Sequence, residues 1–263
     1  MKNIVVSGAL GKMGQEVVKL VDRTDNFKLV GAVDVAKVGE DIKEVLNLEQ
    51  ASAEITNDLG ETLEQVEADA VVDFTTPQVV MGNIKTVCEA GVDIVVGTTG
   101  ITEADLNKVK EFADENNKVI IAPNFAIGAI LMMEFSKKAA KFLDDVEIIE
   151  QHHDGKLDAP SGTAIKTAEL IQENLTPKED EREEIEKLEG ARGAEQDGIN
   201  IHSVRLPGLV AHQEVLFGGE GQTLKLRHDS INRRSFMPGV ALAINKLDEI
   251  DGVVYGLDNL IEL

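Results

Sequence analysis

The 263-residue sequence predicts an α/β chain: a doubly wound parallel sheet in its first half, followed by an α+β part with a mixed sheet. Three observations carry this expectation. Up to about residue 123, short apolar runs alternate with helical patterns, and the runs are continuous, as strands buried on both faces require. Aromatic residues make up only 3% of the chain against a hydrophobic content of 43%, with no Trp, so Val, Ile, Leu and Ala must fill the core. Beyond residue 198, strand-like runs follow one another without helices between them, which points to antiparallel or mixed pairing.

In chain order, residues 4–6 predict a strand and 12–23 a helix. Residues 29–33 and 70–74 are further strands, the latter followed by a helix opening near Pro77. Strands at 94–96 and 119–122 flank a helix over 103–116. After Asn124 the pattern changes: 128–142 is helical, 146–151 is a strand, and 161–174 is a helix with Ser161 placed to cap it. Residues 178–189 are dense in Glu, Asp, Lys and Arg and read as a solvated face or loop. Strands at 199–205, 212–217 and 223–228 follow. A helix over 236–247 and the apolar tail Val253-Val254-Tyr255 return to the first sheet. The expected organisation is a dinucleotide-binding domain of Rossmann type over 1–123, completed by 233–263, and a substrate-binding and oligomerisation domain over 124–232.

The formal net charge of −22 argues against a nucleic-acid or anionic-membrane partner, since both need basic surfaces. Any anionic substrate must then be held by a local cationic pocket. The only cysteine, Cys88, allows no intrachain disulfide and falls in a helical packing position. The N-terminus enters a strand at once, with no signal-peptide pattern, and no apolar run approaches a membrane span of roughly 20 residues. These features predict a soluble, cytoplasmic protein.

The first strand runs directly into Gly8-Ala9-Leu10-Gly11-Lys12-Met13-Gly14, a G-x-x-G-x-x-G loop that opens a helix. Glycines allow a tight turn and close backbone approach to a pyrophosphate, and the helix offers free N–H groups and the positive end of its dipole. An ordinary glycine-rich turn is the alternative. Asp34 strengthens the nucleotide reading: it ends the second strand, where an acid meets ribose hydroxyls. A carboxylate there repels a 2′-phosphate and favours NADH, whereas Lys12 inside the loop could pair with that phosphate, so NADH or NADPH both stay open with a lean to NADH. Gly97-Thr98-Thr99-Gly100 and Ala122-Pro123-Asn124-Phe125 follow two further strands and fall on the same carboxyl edge, as candidates to line the nicotinamide half or as plain loops.

The chemical candidates lie in residues 151–163. A strand delivers His152 and His153, whose neighbouring side chains point to opposite sides. A zinc pair is disfavoured, because Cys88 is distant and no third ligand at metal spacing occurs, so no metal is expected. Lys156 follows across the turn Asp154-Gly155, with imidazoles close enough to tune its proton affinity. Pro160-Ser161-Gly162-Thr163 opens a helix whose Gly162 and Thr163 amides, with the Thr163 hydroxyl, suit a carboxylate. The bland alternatives are structural histidines, a surface lysine and a capped helix.

Glu150-Gln151-His152-His153, Lys156 and Asp158-Ala159-Pro160-Ser161-Gly162-Thr163-Ala164 together resemble the signature of the 4-hydroxy-tetrahydrodipicolinate reductase (dihydrodipicolinate reductase) family of lysine and diaminopimelate biosynthesis. The Gly8 to Gly14 loop, Asp73-Phe74-Thr75, the Gly97 to Gly100 loop and Asn124-Phe125 resemble the same family in the same order, so the likeness covers nearly the whole chain. It implies an NAD(P)H-dependent oxidoreductase acting on a small cyclic dicarboxylate, with loss of water and hydride transfer to ring C4. It implies His152 as proton donor or acceptor, Lys156 as proton donor, and His153, Gly162 and Thr163 as substrate ligands. Gly8, Ala9, Leu10, Gly11, Lys12, Met13, Asp34, Gly97, Thr98, Thr99, Ala122, Pro123, Asn124 and Phe125 would bind the cofactor. Arg233 occupies a position where the family tends to keep an arginine, and the resemblance also implies a homotetramer built through the second domain. One departure matters: Val35 stands where some members carry an arginine for the 2′-phosphate, with Lys12 and Lys37 as partial substitutes. Rival readings are another two-domain dehydrogenase of amino-acid metabolism and a non-catalytic dinucleotide sensor.

Overall fold

The computed structural model describes residues 1–113, 117–175 and 185–261. Among them the chain divides into two compact units, Met1–Phe125 with Phe236–Leu263, and Ala126–Ser235.

The first unit is built on a seven-stranded sheet. Its elements run β1 (Lys2–Ser7), α1 (Gly14–Asp22), β2 (Phe27–Val33), α2 (Ile42–Leu46), β3 (Ile55–Thr56), α3 (Leu59–Gln65), β4 (Ala70–Asp73), α4 (Val80–Glu89), β5 (Asp93–Val96), α5 (Glu103–Phe112) and β6 (Val119–Ile121). The sheet order is β12-β6-β5-β4-β1-β2-β3, where β12 (Val253–Tyr255) is supplied by the C-terminal segment, and every pairing is parallel. Chain order reverses at β1, which lies between β2 and β4, so the loop after β1 sits at the switch point where such sheets bind ligands. The middles of the strands are apolar because both faces are covered: Val5, Val71, Ile94, Val96 and Ile121 pack with Ile84, Val87 and Cys88 of α4 and Val109 of α5. Cys88 is buried within this cluster, a packing role.

The second unit runs α6 (Ile127–Ala139), β7 (Asp145–His152), α7 (Gly162–Gln172), β8 (Ala194–Gln196), β9 (Ile199–Arg205), β10 (Ala211–Gly219) and β11 (Gln222–Ser230). Its sheet has the order β11-β10-β7-β9-β8, with β7 parallel to β9 and the other pairs antiparallel: the expected mixed sheet. One face buries Ile148, Ile201, Val215 and Phe217 against Met132 of α6 and Ala164, Ala168 and Ile171 of α7. The chain then returns through α8 (Met237–Lys246) to β12.

Several expectations shift. The helix expected over 12–23 starts at Gly14, because Gly11 N–H bonds back to the Gly8 carbonyl (3.0 Å) and keeps Lys12 and Met13 in the turn. The helix expected near Pro77 starts at Val80. The end of the helix expected over 103–116, and residues 178–184 of the charged run, lie outside the described residues, while 185–189 are exposed. The strand expected to end at 151 continues through His152, which pairs with Ala211 on one side and Arg205 on the other. Only His152 is therefore a strand residue, and His153 lies beyond the ladder.

Candidate active site

In the first unit, four strand-end loops meet around Phe74. The glycine loop turns under it: Gly8 has φ +79°, and a Cβ there would stand 2.6 Å from the Phe74 carbonyl oxygen. A Cβ at Gly14 would stand 1.9 Å from the Gly8 oxygen, so both positions exclude any side chain. A Cβ at Gly97 would lie 2.1 Å from the Phe74 ring, and that ring tilts against Phe125 with centroids 5.7 Å apart. The turn leaves the amides of Lys12, Met13 and Gly14 without a hydrogen bond among the described residues, at the start of α1. A tight glycine turn with free amides at a helix N-terminus fits a dinucleotide pyrophosphate. Asp34 stands beside it: its Oδ2 accepts from Leu10 N–H (2.8 Å) and its Oδ1 from Ala36 N–H (3.0 Å).

Behind these loops lies a buried carboxylate. Asp73, at the end of β4, is fully buried; its Oδ1 accepts from Thr98 Oγ1 (2.7 Å), Thr75 Oγ1 (2.8 Å) and Thr75 N (3.1 Å), and its Oδ2 from Asn83 Nδ2 (2.7 Å). Thr98 thus spends its hydroxyl inward on Asp73, leaving backbone as what it can offer a ligand. Ala122 and Phe125 are buried, while Thr99 and Pro123 are exposed. Asn83 was not singled out from sequence.

In the second unit, β7 and the N-terminus of α7 converge on another buried carboxylate. Glu150 is fully buried, and its Oε2 lies 2.5 Å from His152 Nδ1. Its Oε1 accepts from Ser161 N (3.2 Å), and Arg205 of β9 grips both oxygens (NH1 to Oε2 2.8 Å, NH2 to Oε1 2.7 Å). Burial alone would push the Glu150 carboxyl up, but hydrogen bonds from Arg205, Ser203 and His152 outweigh it and hold it below the usual carboxylate value. An ionised carboxylate only accepts, so His152 carries its proton on Nδ1. Burial holds His152 below its ordinary value of 6.5, with Glu150 pulling the other way and Lys156 and Arg205 adding to the decrease.

Ser161 caps α7 by accepting from Ala164 N–H (3.2 Å), as its position suggested. The amides of Gly162 and Thr163 make no hydrogen bond among the described residues. Gly162 is exposed and Thr163 half-buried, so the helix end is open to a ligand. The turn after β7 closes with Lys156 N–H on the His153 carbonyl (3.1 Å), and His153 is exposed. The Lys156 ammonium pairs with Asp158 (2.7 Å), which lowers the Asp158 pKa. Arg233 is exposed, in a 3-10 turn over Arg233–Phe236. Arg205 was missed in the sequence reading; its signal was an arginine closing a strand in a chain poor in cations.

Profiles described as dihydrodipicolinate reductase, N-terminus, and dihydrodipicolinate reductase, C-terminus, match residues 2–125 and 128–261. The chain belongs to the dihydrodipicolinate reductase family. It is 54% identical over 261 residues to the 4-hydroxy-tetrahydrodipicolinate reductase of Bacillus cereus, covering 98% of each chain, and equally so to that of Bacillus anthracis. The solved structure of a dipicolinate-bound dihydrodipicolinate reductase from Paenisporosarcina sp. TG-14 matches with a TM-score of 0.86 at 47% identity, over 99% of this chain and 100% of that one. An amine dehydrogenase from Mycobacterium smegmatis shares the fold at 17% identity (TM-score 0.70). As a dihydrodipicolinate reductase family member, the chain is an oxidoreductase that works with a nicotinamide cofactor.

Proposed function

We propose that the chain catalyses the reaction for which its curated relatives are named, the NAD(P)H-dependent reduction of 4-hydroxy-tetrahydrodipicolinate in lysine and diaminopimelate biosynthesis. The observation that carries the site assignment is that one carboxylate, Glu150, touches both the His152 imidazole and the N-cap of α7. A proton-handling group and an open anion site therefore share one scaffold. The free amides of Lys12 and Met13 hold the pyrophosphate, with Gly8, Ala9, Leu10 and Gly11 forming the turn around it; Asp34 takes the adenosine ribose, and the backbone of Gly97, Thr98, Thr99, Ala122, Pro123, Asn124 and Phe125 the nicotinamide half. The bound cofactor supplies the hydride that adds at ring C4.

The amides of Gly162 and Thr163 and the Thr163 hydroxyl take a substrate carboxylate at the positive end of the α7 dipole, and His153 contacts the substrate from the adjoining turn. His152, with Nδ1–H donated to Glu150, keeps Nε2 free to exchange a proton with the substrate as negative charge develops on the ring. The Lys156 ammonium is a second proton donor, held in place by Asp158. A dipicolinate ligand in the Paenisporosarcina relative, a cyclic dicarboxylate, supports this substrate class.

NADH is the preferred cofactor. Beyond Asp34 the chain offers Val35, 91% exposed, where a 2′-phosphate would need a cation, and Lys37 is already paired with Glu40 (3.1 Å). The protein works as a homotetramer in the cytoplasm. The assembly has a ready surface: the sheet face of the second unit opposite α6 and α7 presents Ile149, Val204 and Leu216, none of them fully buried. No described helix is long and apolar enough to cross a membrane.

The deciding experiment is steady-state kinetics with freshly generated 4-hydroxy-tetrahydrodipicolinate and either NADH or NADPH. His152→Gln and Lys156→Ala should each lower kcat by about 10²-fold or more with NADH affinity near wild type. Wild-type turnover in both variants would remove the assigned roles, and a large NADPH advantage would overturn the reading of Asp34 and Val35. NADH binding without substrate-dependent oxidation would favour a sensor.

A further inference from the structure

Glu150 and Arg205 take no part in the proton transfers assigned above, yet between them they bond His152, the α7 cap and the loop that carries Lys156. Glu150 bonds the His152 imidazole and the Ser161 amide that begins the α7 cap. Arg205 clamps both Glu150 oxygens with two parallel N–H bonds, and its NH2 also donates to the Asp158 carbonyl (2.7 Å), in the loop that carries Lys156. Its NH1 is further tied to the Val204 carbonyl (2.8 Å). The register explains the convergence: in the parallel ladder His152 pairs with Arg205 and Glu150 with Ser203, so alternate residues of both strands reach the face that packs against α7.

We propose that Glu150 and Arg205 are positioning residues of the reductase, an ion pair between a buried carboxylate and a half-buried guanidinium that fixes the His152 tautomer and locks the proton donor, the carboxylate-binding helix end and the Lys156 loop in one arrangement. The inference rests on His152 acting as the acid–base group. A fully buried carboxylate costs several kcal/mol unless it is paired and hydrogen-bonded. Packing alone would be served as well by an apolar pair, so an ion pair aimed at an imidazole serves orientation. Because Glu150 stays ionised, it accepts only, and Nδ1–H of His152 has one orientation open to it. Nε2 is then presented in a single tautomer, as a general base or acid requires. The groups that set the His152 charge are Glu150 on its own strand, Arg205 on the neighbouring strand and Lys156 on the following turn. Glu150 stabilises the imidazolium; the two cations oppose it.

That opposition gives the test a sign. Removing the Glu150 charge should make His152 harder to protonate, and weakening the Arg205 grip should make it easier, because more of the Glu150 charge is then felt by the imidazole. The chain has five histidines, so ring-labelled His152 can be assigned in the intact protein from the resonance lost in His152→Gln. Glu150→Gln should lower the NMR titration midpoint of His152 by about one unit or more. The low-pH limb of the kcat profile should move by the same amount, kcat at pH 7 should fall by about tenfold or more, and NADH affinity should hold. Arg205→Lys keeps a cation but loses the two-pronged grip, and should shift the His152 midpoint upward. If Glu150→Gln does not fold, the Arg205→Lys shift carries the test alone. Midpoints that stay in place in the folded variants overturn the proposal while leaving the role of His152 intact. Conversely, full turnover in His152→Gln would remove the acid–base reading whatever the midpoints do.

Discussion

Asp73 offers the most direct test of how the cofactor loops are held. Its carboxylate is fully buried and accepts four hydrogen bonds, from Thr98 Oγ1, Thr75 Oγ1, Thr75 N and Asn83 Nδ2. Asp73→Ala strands these donors. Thr98 is buried, so its hydroxyl bears most of the penalty of an unmade bond, about 1–3 kcal/mol. Thr75 and Asn83 are half-buried and recover part of theirs from solvent, and the small void adds about 1 kcal/mol. The sum is roughly 3 kcal/mol, or about 6–12 °C in thermal midpoint for a unit of this size. Asp73→Asn behaves differently. Its amide oxygen can keep the three bonds at Oδ1, and the new NH2 faces Asn83, whose own amide can turn to present oxygen. What remains is the weakening of charge-assisted bonds, about 1 kcal/mol. Thermal melts followed by circular dichroism measure the stabilities, and quenching of NADH fluorescence reports the loops, with the Ala variant losing affinity because Thr98 sits in the 97–100 loop. Adding Asn83→Asp to Asp73→Asn should recover part of the loss by exchanging acid and amide. An Asp73→Ala protein that melts with the wild type, or an Asn variant as damaged as the Ala variant, would refute this account of the network.

Gly14→Ala should abolish NADH binding by at least about tenfold and lower stability, since its Cβ would stand 1.9 Å from the Gly8 oxygen and must open the turn; calorimetric titration with NADH checks it. Acid should begin to destabilise the fold as His152 and His228 take up protons. Burial holds both His152 and His228 below their ordinary 6.5, so their contribution is fully present above that value and is lost as pH falls below it, because the unfolded chain then binds more protons. Thermal midpoints should therefore drop between pH 7 and pH 5, and His228→Gln should flatten that slope; an unchanged slope would acquit His228.

The first sheet was legible because burial on both faces writes itself into continuous apolar runs such as Ile4-Val5-Val6 and Ile94-Val95-Val96. The elements that escaped are those too short to show a period: β3 has two residues, α2 has five, α3 has seven and β8 has three. These are fixed by tertiary pairing, as when Ala32 and Val33 of β2 receive Ile55 and Thr56. Site residues were legible where chemistry is local in sequence. His152, Lys156 and the Ser161 cap fall within ten residues of one another, and the glycine loop announces its own backbone needs. Arg205 was not legible because it acts from a neighbouring strand on Glu150, 55 positions away in the chain, and Asn83 because only the seating of α4 on the sheet decides which of its side chains reaches Asp73. An arginine paired with a buried carboxylate and one facing solvent look alike until the register of β7 against β9 is known.

The strong acidity of the chain separates two ways of holding an anion. If surface cations drew in the dicarboxylate and the cofactor, screening would weaken binding, and KM would rise with salt. The structure argues the reverse. The cations nearest the dicarboxylate site are already paired, Arg205 with Glu150 and Lys156 with Asp158, and the open anion site there is the backbone amides at the start of α7. Those dipoles act at short range, where salt has little access, whereas the net charge of −22 repels the incoming anion over a distance comparable to the Debye length. Raising ionic strength from about 0.01 to about 0.15 M shortens that length from about 30 to about 8 Å and should relieve the repulsion first. KM for the dicarboxylate should therefore stay level or fall over that range while kcat holds. A severalfold rise in KM, read from initial rates at constant pH, would show that unpaired side-chain cations, not helix ends, dominate the capture of substrate.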